Sequence, residues 1–491
     1  MITQQKRSGA FYTPSNVAET LVRWAVRRET DRMLDPSCGD GRFLAGHSNA
    51  VGVERDPVAC AIARERAPLA QVHEADFFDW MNCPGDYFDC VAGFDCAAGN
   101  PPFIRYQLFR GETRGRALAI CRSVGADFSA LTSSWAPFIV ATCSLLIPGG
   151  RIAFVVPAEI GHAPYAKPLL RFLCFNFRTV HLVAIREKLF PQLSEDAWLL
   201  YAGGYRGDAR EIRLTALDRF RPSASPPRRW TTVSLNDLAR WNYRIRPFLL
   251  PEDVRCLYSS LASNEAATVR LSQLAGVGIG YVTGGNEFFH LRPSQAARLG
   301  IHGRFTQPTV RSARGLPPDA VTKDTVDRWI GADRSALLLR LRAGETLPSQ
   351  IRRYLDSPQA HKVRSGYKCR NRDPWYVVPD VRTPDAFLSY MSGEAPALVA
   401  NKARCTCSNA VHAVTLRNAY SVEDLQSAWR HPLARLSCEL EGHPLGGGML
   451  KLEPREAGCV VLSRPAAQIS REEIALLNEG AAEMRRWRHY G

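Results

Sequence analysis

The segment Met33-Leu34-Asp35-Pro36-Ser37-Cys38-Gly39-Asp40-Gly41-Arg42-Phe43-Leu44 is the first indication of the fold of this 491-residue chain. Its apolar start predicts a short strand, its two glycines predict a turn, and the residues after them predict a helix. Gly39 and Gly41 let the backbone approach a ligand closely, as at the first turn of nucleotide-binding α/β folds. The full dinucleotide-binding fingerprint is absent, so the turn alone is a weak signal.

Acidic residues follow at the ends of the next two predicted strands. The second strand ends in Glu54, 19 residues after Asp35, the position from which a carboxylate binds ribose hydroxyls. The third strand precedes Asp76, which can accept a hydrogen bond from an adenine amine, and Phe77, which can stack on the ring. Each acid alone would more often be a solvated strand-end residue. At successive strand ends of one α/β unit, they predict a nucleoside pocket.

The fourth strand has two candidates, because a hexamer occurs almost twice in succession. The copies are Phe-Asp-Cys-Val-Ala-Gly over 88–93 and Phe-Asp-Cys-Ala-Ala-Gly over 94–99. We favour the second copy, because it places Asn100 at the same edge of the sheet as Glu54 and Asp76.

Further periodic and apolar segments continue this alternation of helices and strands. The sequence predicts helices over 14–28 and 135–146, and strands over 151–156, 180–185 and 198–202. Thr13 and Pro14 would be the N-cap and first residue of the first helix, whose N-terminus could hold a carboxylate. Strands that alternate with helices indicate an α/β fold with a doubly wound, mostly parallel, Rossmann-like sheet.

The segment Asn100-Pro101-Pro102-Phe103 has the groups needed to methylate an exocyclic amine. The lone pair of adenine N6 is delocalised into the ring, so acceptors must hold its hydrogens and favour the pyramidal, positively charged transition state. The Asn100 side-chain oxygen and the Pro101 carbonyl supply such acceptors, and the two prolines fix that carbonyl. Phe103 could stack on a base that has left its duplex. By itself the tetrapeptide could equally be a plain turn.

The charge of the chain is unevenly distributed. Of the net +15, residues 1–205 contribute 21 basic and 20 acidic side chains, and the remainder contributes 42 and 28, which gives +1 and +14. A basic region beside a neutral one predicts that the second holds a polyanion while the first performs chemistry. Solubility or an arginine-rich composition is the alternative explanation.

Other features of the composition indicate a cytoplasmic protein without a membrane partner. The longest apolar run, 136–148, is too short to cross a bilayer, and residues 1–10 contain no apolar signal segment. The fourteen cysteines lack paired spacing, which suits reduced core thiols. Cys405, Cys407 and His412 are too few and too poorly spaced for zinc, so we expect no metal site.

Taken together, residues 9–204 resemble the gamma-class adenine-N6 DNA methyltransferases of restriction-modification systems, and the motifs occur in the family's order. The segments that carry the resemblance are Phe11 to Pro14, Asp35 to Gly41, Gly52 to Pro57, Ala75 to Phe78, Asn100 to Phe103, Pro148 to Pro157, and Phe190-Pro191-Gln192. Phe103 stands where many relatives carry tyrosine, which keeps the stacking face but loses a hydroxyl.

The resemblance implies a cofactor, S-adenosyl-L-methionine, and a set of residues that bind it. Those residues would be Tyr12, Thr13, Pro14, Asp35, Ser37, Gly39, Gly41, Glu54, Asp76 and Phe77. It also implies that Asn100, Pro101, Pro102 and Phe103 form the catalytic loop. Phe190 would be a second aromatic residue against the flipped adenine.

The resemblance also implies a division of the chain: a catalytic domain over 1–205, a connecting region over 206–250, and a basic target-recognition domain of mixed α+β structure over 251–491. Segments within the last domain resemble target-recognition segments more loosely. They suggest that Trp375, Tyr376 and Arg404 contact double-stranded DNA. The basic tail over 485–490 could be either a solvated face or a further DNA contact.

Three alternatives compete with this interpretation. Methyltransferases acting on protein glutamine N5 or RNA guanine N2 share Asn-Pro-Pro-aromatic loops, but the motif over 11–14 and the long basic C-terminal region disfavour them. A catalytically silent DNA-binding specificity subunit is disfavoured by the intact loop and acids. A fused nuclease is disfavoured because ten residues precede the first motif and no convincing nuclease cluster follows. We therefore expect any cognate restriction endonuclease to be a separate partner.

Overall fold

The computed structural model describes residues 13–81, 93–193, 195–417 and 420–490. The chain divides into two units, Met1–Leu250 and Pro251–Gly491. In the described part of the first unit, nine strands form one sheet. They are β1 (Met33–Asp35), β2 (Ala50–Glu54), β3 (Gln71–Glu74), β4 (Phe94–Gly99), β5 (Leu146–Pro157), β6 (Phe177–Ile185), β7 (Ala197–Tyr205), β8 (Glu211–Leu217) and β9 (Thr231–Ser234).

The order of the strands is β3-β2-β1-β4-β5-β7-β6-β8-β9. The first five strands in that order are mutually parallel, and β7 lies antiparallel between β5 and β6. The predicted α/β fold with a mostly parallel sheet is confirmed. Strands β2 and β3 are added on one side of β1, and β4 and β5 are added on its other side, so the strand order reverses between β1 and β4. Ligands of such sheets bind at the carboxyl ends of the strands beside this topological switch point.

Helices cover the sheet in the first unit: α1 (Ser15–Ala25), α2 (Pro57–Arg66), α3 (Phe77–Trp80), α4 (Gly111–Ser123), α5 (Trp135–Ser144), α6 (Ala166–Asn176) and α7 (Leu235–Arg240). Helix α1 buries Leu21 and Val22 against apolar side chains of the sheet, which include Met33 and Val155. Complete burial of one such side chain contributes about 1.5–3 kcal/mol. Helix α2 begins after Asp56, whose side chain accepts hydrogen bonds from the amides of Val58 and Ala59.

Local boundaries differ from the sequence prediction in places. The glycine turn leads into a short 3-10 helix, Leu44–Gly46, and not into an α-helix. Gly46 has a low helix propensity, and His47, which follows it, has an extended backbone, so the helix ends after one turn. Helix α1 starts at Ser15 with no side-chain cap, so Thr13 does not cap it. Of the two hexamers, the second forms β4 as predicted, whereas 82–92 lies outside the described residues.

The segment 206–250 does more than connect two domains. Strand β8 pairs in parallel with β6, and β9 pairs with β8, so both extend the first sheet. Alternation at the start of β8 explains this, because Ile212 and Leu214 are buried while Glu211 and Arg213 are more exposed. The proline-rich stretch 221–229 is the loop between these strands. The segment predicted to be a connecting region, 206–250, is therefore part of the first unit.

This correction also changes the interpretation of the charge. The segment 206–250 contains ten arginines and four acidic residues. With it, residues 1–250 carry 31 basic and 24 acidic side chains, and residues 251–491 carry 32 and 24, which gives +7 and +8. Both units are basic, so the near-neutral first domain predicted from the sequence does not correspond to a structural unit.

The second unit has the mixed α+β structure expected. Its helices are α8 (Glu252–Ser263), α9 (Leu271–Leu274), α10 (Asn286–Phe289), α11 (Pro293–Arg298), α12 (Lys323–Gly331), α13 (Ser349–Leu355), α14 (Pro358–Arg364), α15 (Tyr367–Arg370), α16 (Val422–Arg430), α17 (Pro432–Glu441), α18 (Pro454–Cys459) and α19 (Arg471–Arg486). Its strands are β10 (Thr268–Arg270), β11 (Ala275–Ile279), β12 (His290–Leu291), β13 (Thr306–Val310), β14 (Ala320–Val321), β15 (Leu337–Leu339), β16 (Ala386–Ser389), β17 (Met391–Ser392), β18 (Leu398–Asn401), β19 (Thr406–Cys407), β20 (Val411–Leu416), β21 (His443–Leu445), β22 (Met449–Lys451) and β23 (Val461–Ser463).

The main sheets of this unit have the orders β11-β20-β16-β18-β14 and β12-β15-β13-β19. After α19, Arg488 is buried and its guanidinium donates to the buried carboxylate of Glu439, with 2.9 Å between Nε and Oε2. Within the basic tail, Arg488 is therefore neither a solvated residue nor a DNA contact. In the described part of the chain, no helix has both the length and the apolar content needed to span a bilayer.

Candidate active site

A cavity of about 560 Å³ opens at the carboxyl ends of the parallel strands. Its walls come from the glycine turn, from the ends of β2 and β3, and from the loop after β4. The sequence-predicted residues that line it are Thr13, Ser37, Gly39, Glu54, Asp76, Phe77, Asn100 and Pro102. The structure thus brings together residues that are separated by up to 89 positions in the chain.

The glycine turn approaches helix α2 too closely for a side chain. Gly41 has φ +79°, and a Cβ atom there would lie 2.8 Å from Ala63 Cα. The Cys38 amide donates to the Val53 carbonyl at 3.0 Å, which fixes the turn to β2. The turn therefore presents backbone, and not bulky side chains, to the cavity.

The Glu54 carboxylate is held rigidly at the end of β2. Its Oε2 accepts from the Gly39 amide at 3.0 Å, and its Oε1 accepts from the amides of Arg55 and Asp56 at 2.8 and 2.9 Å. A carboxylate has about four lone-pair directions, so it can still accept bonds from ligand hydroxyls.

Asp76 and Phe77 form the part of the wall that follows β3. Asp76 Oδ1 caps α3 by accepting from the amides of Phe78 and Asp79, at 3.0 and 3.4 Å. Burial raises the pKa of Asp76, and Asp79 adds to the effect. The Phe77 ring is 2% exposed and stacks on Phe138, with 5.3 Å between the ring centroids.

Asp35 lies at the end of β1 but does not line the cavity. It is 1% exposed, and burial raises the pKa of its carboxyl group to about 8. Its Oδ1 accepts from the Ser37 amide at 3.1 Å. The Ser37 hydroxyl in turn donates to the Asn100 carbonyl at 3.3 Å. Asp35 and Ser37 therefore connect the glycine turn to the loop after β4.

The loop from Asn100 to Phe103 is held on its other side by Ser134. This fully buried hydroxyl donates to the Pro102 carbonyl and accepts from the Ile104 amide at 3.0 Å, while the Ser134 amide donates to the Ile104 carbonyl at 2.9 Å. Among the described residues, no donor reaches the Pro101 carbonyl. The loop is thus fixed on both sides, by Ser37 and by Ser134.

Ser134 was not identified from the sequence. It precedes α5 in a Thr-Ser-Ser segment, which is typical of a helix N-cap, although its side chain makes no capping bond. That signal could have marked Ser134 as structured, but it does not indicate contact with a loop 32 residues earlier.

The structure does not place the remaining predicted residues in the cavity wall. Phe103 is half-buried and packs on a core cluster that includes Phe190, which is 2% exposed. Phe190 therefore occupies a core position here, and its face is not open to a base. Pro14 precedes α1 outside the cavity lining, and Pro101 is buried. Tyr12 lies outside the described residues.

The predicted DNA contacts in the second unit do not form one cluster. Trp375 and Tyr376 pack partly buried against an aromatic core, with 5.7 Å between the ring centroids of Trp375 and Phe288. Arg404 is exposed after β18, beside a different core cluster. No group of three or more potential metal ligands occurs within the described ranges.

Two family models match the chain and leave little of it uncovered. The N-6 DNA Methylase model matches residues 2–191. The model for the C-terminal domain of Type II methyltransferase M.Eco57I matches residues 243–488, half of the chain. The chain belongs to the Type II N-6 DNA methylases of restriction-modification systems. RNA and protein methyltransferases and a silent specificity subunit, the alternatives left open by the sequence, are not favoured.

Individual relatives agree with this assignment. The methylase is 19% identical over 480 residues to Type II methyltransferase M.AccI of Acinetobacter calcoaceticus, covering 93% of this chain and 85% of that one. It is 32% identical over 164 residues to Type II methyltransferase M.TthHB8I of Thermus thermophilus, covering 30% of this chain and 35% of that one.

A solved structure agrees with the fold. The Type IIL restriction-modification enzyme MmeI, solved in complex with DNA, superposes on this methylase with a TM-score of 0.53 at 13% identity. The superposition covers 86% of this chain and 61% of MmeI. At this identity the comparison shows a shared fold, and the methylase spans less than two thirds of MmeI.

Proposed function

We propose that this methylase transfers the methyl group of S-adenosyl-L-methionine to N6 of an adenine that has left a DNA duplex. The observation that carries the proposal is a single cavity, with Glu54 and Asp76 on one wall and Asn100 on another. A cofactor and a target amine could therefore meet at one edge of the sheet.

The cavity suits the proposed cofactor in size and in chemistry. A volume of about 560 Å³ lies within the 300–1,000 Å³ typical of ligand pockets. Glu54 would accept hydrogen bonds from the ribose hydroxyls, and Asp76 would accept one from the adenine amine. The backbone of the turn at Gly39 would lie against the ligand. When bound, the cofactor supplies an electrophilic methyl group on its sulfonium.

The catalytic loop would orient the attacking nitrogen. The Asn100 side-chain oxygen and the Pro101 carbonyl would each accept one N6 hydrogen, which favours the pyramidal nitrogen of the transition state. Pro102, fixed by Ser134, keeps the loop in this orientation. Phe103 would stack on the extruded base. Phe190 could also stack on the base only if the core side chains that bury it moved.

We further propose that the second unit recognises the DNA target and that a cognate restriction endonuclease, where one exists, is a separate protein. MmeI, which shares the fold, was solved in complex with DNA. Trp375, Tyr376 and Arg404 stay predictions as DNA contacts.

Base extrusion can be measured by placing 2-aminopurine at the target adenine. Its fluorescence rises when it is unstacked, so binding of the cognate duplex should increase emission. We expect Phe103→Ala to impair methyl transfer and Phe103→Tyr, which keeps the stacking face, to retain it. An unchanged emission on binding of the cognate site would contradict base extrusion.

Substitution of Ser134 tests whether loop position controls the rate. We expect Ser134→Ala to lower kcat roughly 10- to 100-fold, because a displacement of about 1 Å at a reacting group can cost 100-fold. Cofactor affinity, measured by calorimetry, should stay close to the parent value. Ser144→Ala is a matched control, because this hydroxyl at the other end of α5 bonds to Ala141 of its own helix. Equal losses of kcat in both variants would contradict a positioning role.

A further inference from the structure

A basic surface lies on two short helices of the second unit, α14 (Pro358–Arg364) and α15 (Tyr367–Arg370). Lys362, Arg364, Lys368 and Arg370 are all exposed, and His361 lies beside them. The stretch 358–371 contains no aspartate or glutamate. We call these four Lys and Arg side chains the basic helical surface.

The core of the unit holds these helices firmly. Ala360 on α14 and Cys369 on α15 are completely buried in the aromatic core that also contains Phe288. A side chain at Gly285 would lie 2.6 Å from Val363 of α14, so the preceding loop packs against the helix without a gap. Arg372 donates to the carbonyls of Thr283 and Val282 at 2.7 and 2.5 Å. The cations of the surface therefore project from a fixed scaffold.

The cations of this surface have no acidic partner within ion-pair distance in the described part of the chain. Among the described residues, none of its four cations forms an ion pair. Other arginines of the same unit do, since Arg430 pairs with Asp319 and Arg488 pairs with Glu439. Uncompensated cations in an acid-free stretch create a positive potential that attracts a polyanion.

The neighbouring groups add to the suitability of this surface for a nucleic acid. Tyr367 is 68% exposed. The Nζ atom of Lys368 lies 6.0 Å from the centroid of its ring, and the Cζ atom of Arg370 lies 5.4 Å from it. An adjoining cavity of about 600 Å³ is lined by three arginines and one acidic residue, Arg364, Arg370, Arg372 and Asp373, and by Trp375 among others. An exposed aromatic ring among cations is typical of contact with the sugar and phosphate of a nucleic acid.

We propose that the basic helical surface binds the phosphate backbone of duplex DNA and supplies affinity without reading sequence. The proposal rests on the function proposed above, since DNA is the partner assumed there. Trp375, which lines the adjoining cavity and is half-buried against Phe288, lies next to this surface. Phosphate contacts release condensed counterions, so the contribution of the surface is measurable as a salt dependence.

The test uses the full chain with four substitutions, Lys362→Ala, Arg364→Ala, Lys368→Ala and Arg370→Ala. The control removes the same number of exposed charges elsewhere on the unit, by Arg417→Ala, Arg435→Ala, Arg455→Ala and Arg471→Ala. Binding to duplexes with and without the methylation site is measured by fluorescence anisotropy across a NaCl series, with melting temperature and cofactor affinity as checks of folding.

We expect the plot of log K against log salt concentration to be less steep for the surface variant, with the magnitude of its slope reduced by about 0.9 for each phosphate contact removed. Affinity at 0.1 M salt should fall roughly 100-fold or more, by the same factor on both duplexes, while the control variant changes little. An unchanged slope, an equal loss in the control, or a loss confined to the cognate duplex would overturn the proposal. Methyl transfer by the parent chain is assayed separately, so a parent that binds DNA through this surface without methylating it would contradict only the proposed function.

Discussion

Replacement of Asn100 by alanine is expected to remove most methyl transfer while leaving cofactor affinity close to that of the parent. Asn100 lines the cavity from the loop after β4, whereas Glu54 lies at the end of β2. If its oxygen accepts an N6 hydrogen in the transition state, its loss should cost on the order of 3 kcal/mol or more, at least about 100-fold in rate.

Single-turnover assays with saturating cofactor measure this rate, and calorimetry measures the cofactor affinity. Asn49→Ala is a suitable control, since this exposed asparagine precedes β2 at the opposite edge of the sheet. Near-normal turnover of Asn100→Ala, or loss of its cofactor binding, would show that the residue has a different role.

Replacement of Glu54 by alanine should have the complementary effect. It removes a carboxylate that organises three backbone amides and faces the cavity. Hydrogen bonds to charged groups contribute about 1.5–3 kcal/mol, so the Kd for S-adenosyl-L-methionine should rise roughly 10- to 100-fold. Glu54→Gln keeps one acceptor oxygen and should have an intermediate Kd.

The neighbouring strand offers a matched control. Glu74 pairs in register with Glu54 at the end of β3, is exposed, and does not line the cavity. Glu74→Ala should therefore bind the cofactor as the parent does. An unchanged Kd in Glu54→Ala, or the same loss in both variants, would remove Glu54 from the cofactor site.

Much of the candidate site could be predicted because its residues lie at the ends of predicted strands. Glu54, Asp76 and Asn100 each follow a predicted strand, and parallel strands bring their carboxyl ends to one edge. The contact of Ser134 with the Pro102 carbonyl could not be predicted in this way, because it depends on how α5 packs against β5 and the neighbouring helices. The burial of Phe190 is likewise a result of packing, which a local aromatic motif does not encode.

The domain boundary was harder to predict than the sheet. The proline-rich loop 221–229 resembles a linker, although strands on both sides of it extend the first sheet. Separation of the chain near Tyr205 would leave β6 without its partner β8. Because 206–250 carries ten arginines, the boundary also decides which unit carries the excess charge. DNA affinity therefore has to be mapped to particular surfaces, and not to a whole half of the chain.

The methylated nucleoside identifies both the reaction and the base atom that receives the methyl group. The purified chain is incubated with duplex DNA of diverse sequence and with S-adenosyl-L-methionine carrying an isotopically labelled methyl group, and the DNA is then hydrolysed to nucleosides for mass spectrometry. We expect label in N6-methyldeoxyadenosine, and none above background with Asn100→Ala. Label in a methylated cytosine, or no labelled nucleoside from the folded, cofactor-binding parent, would contradict it.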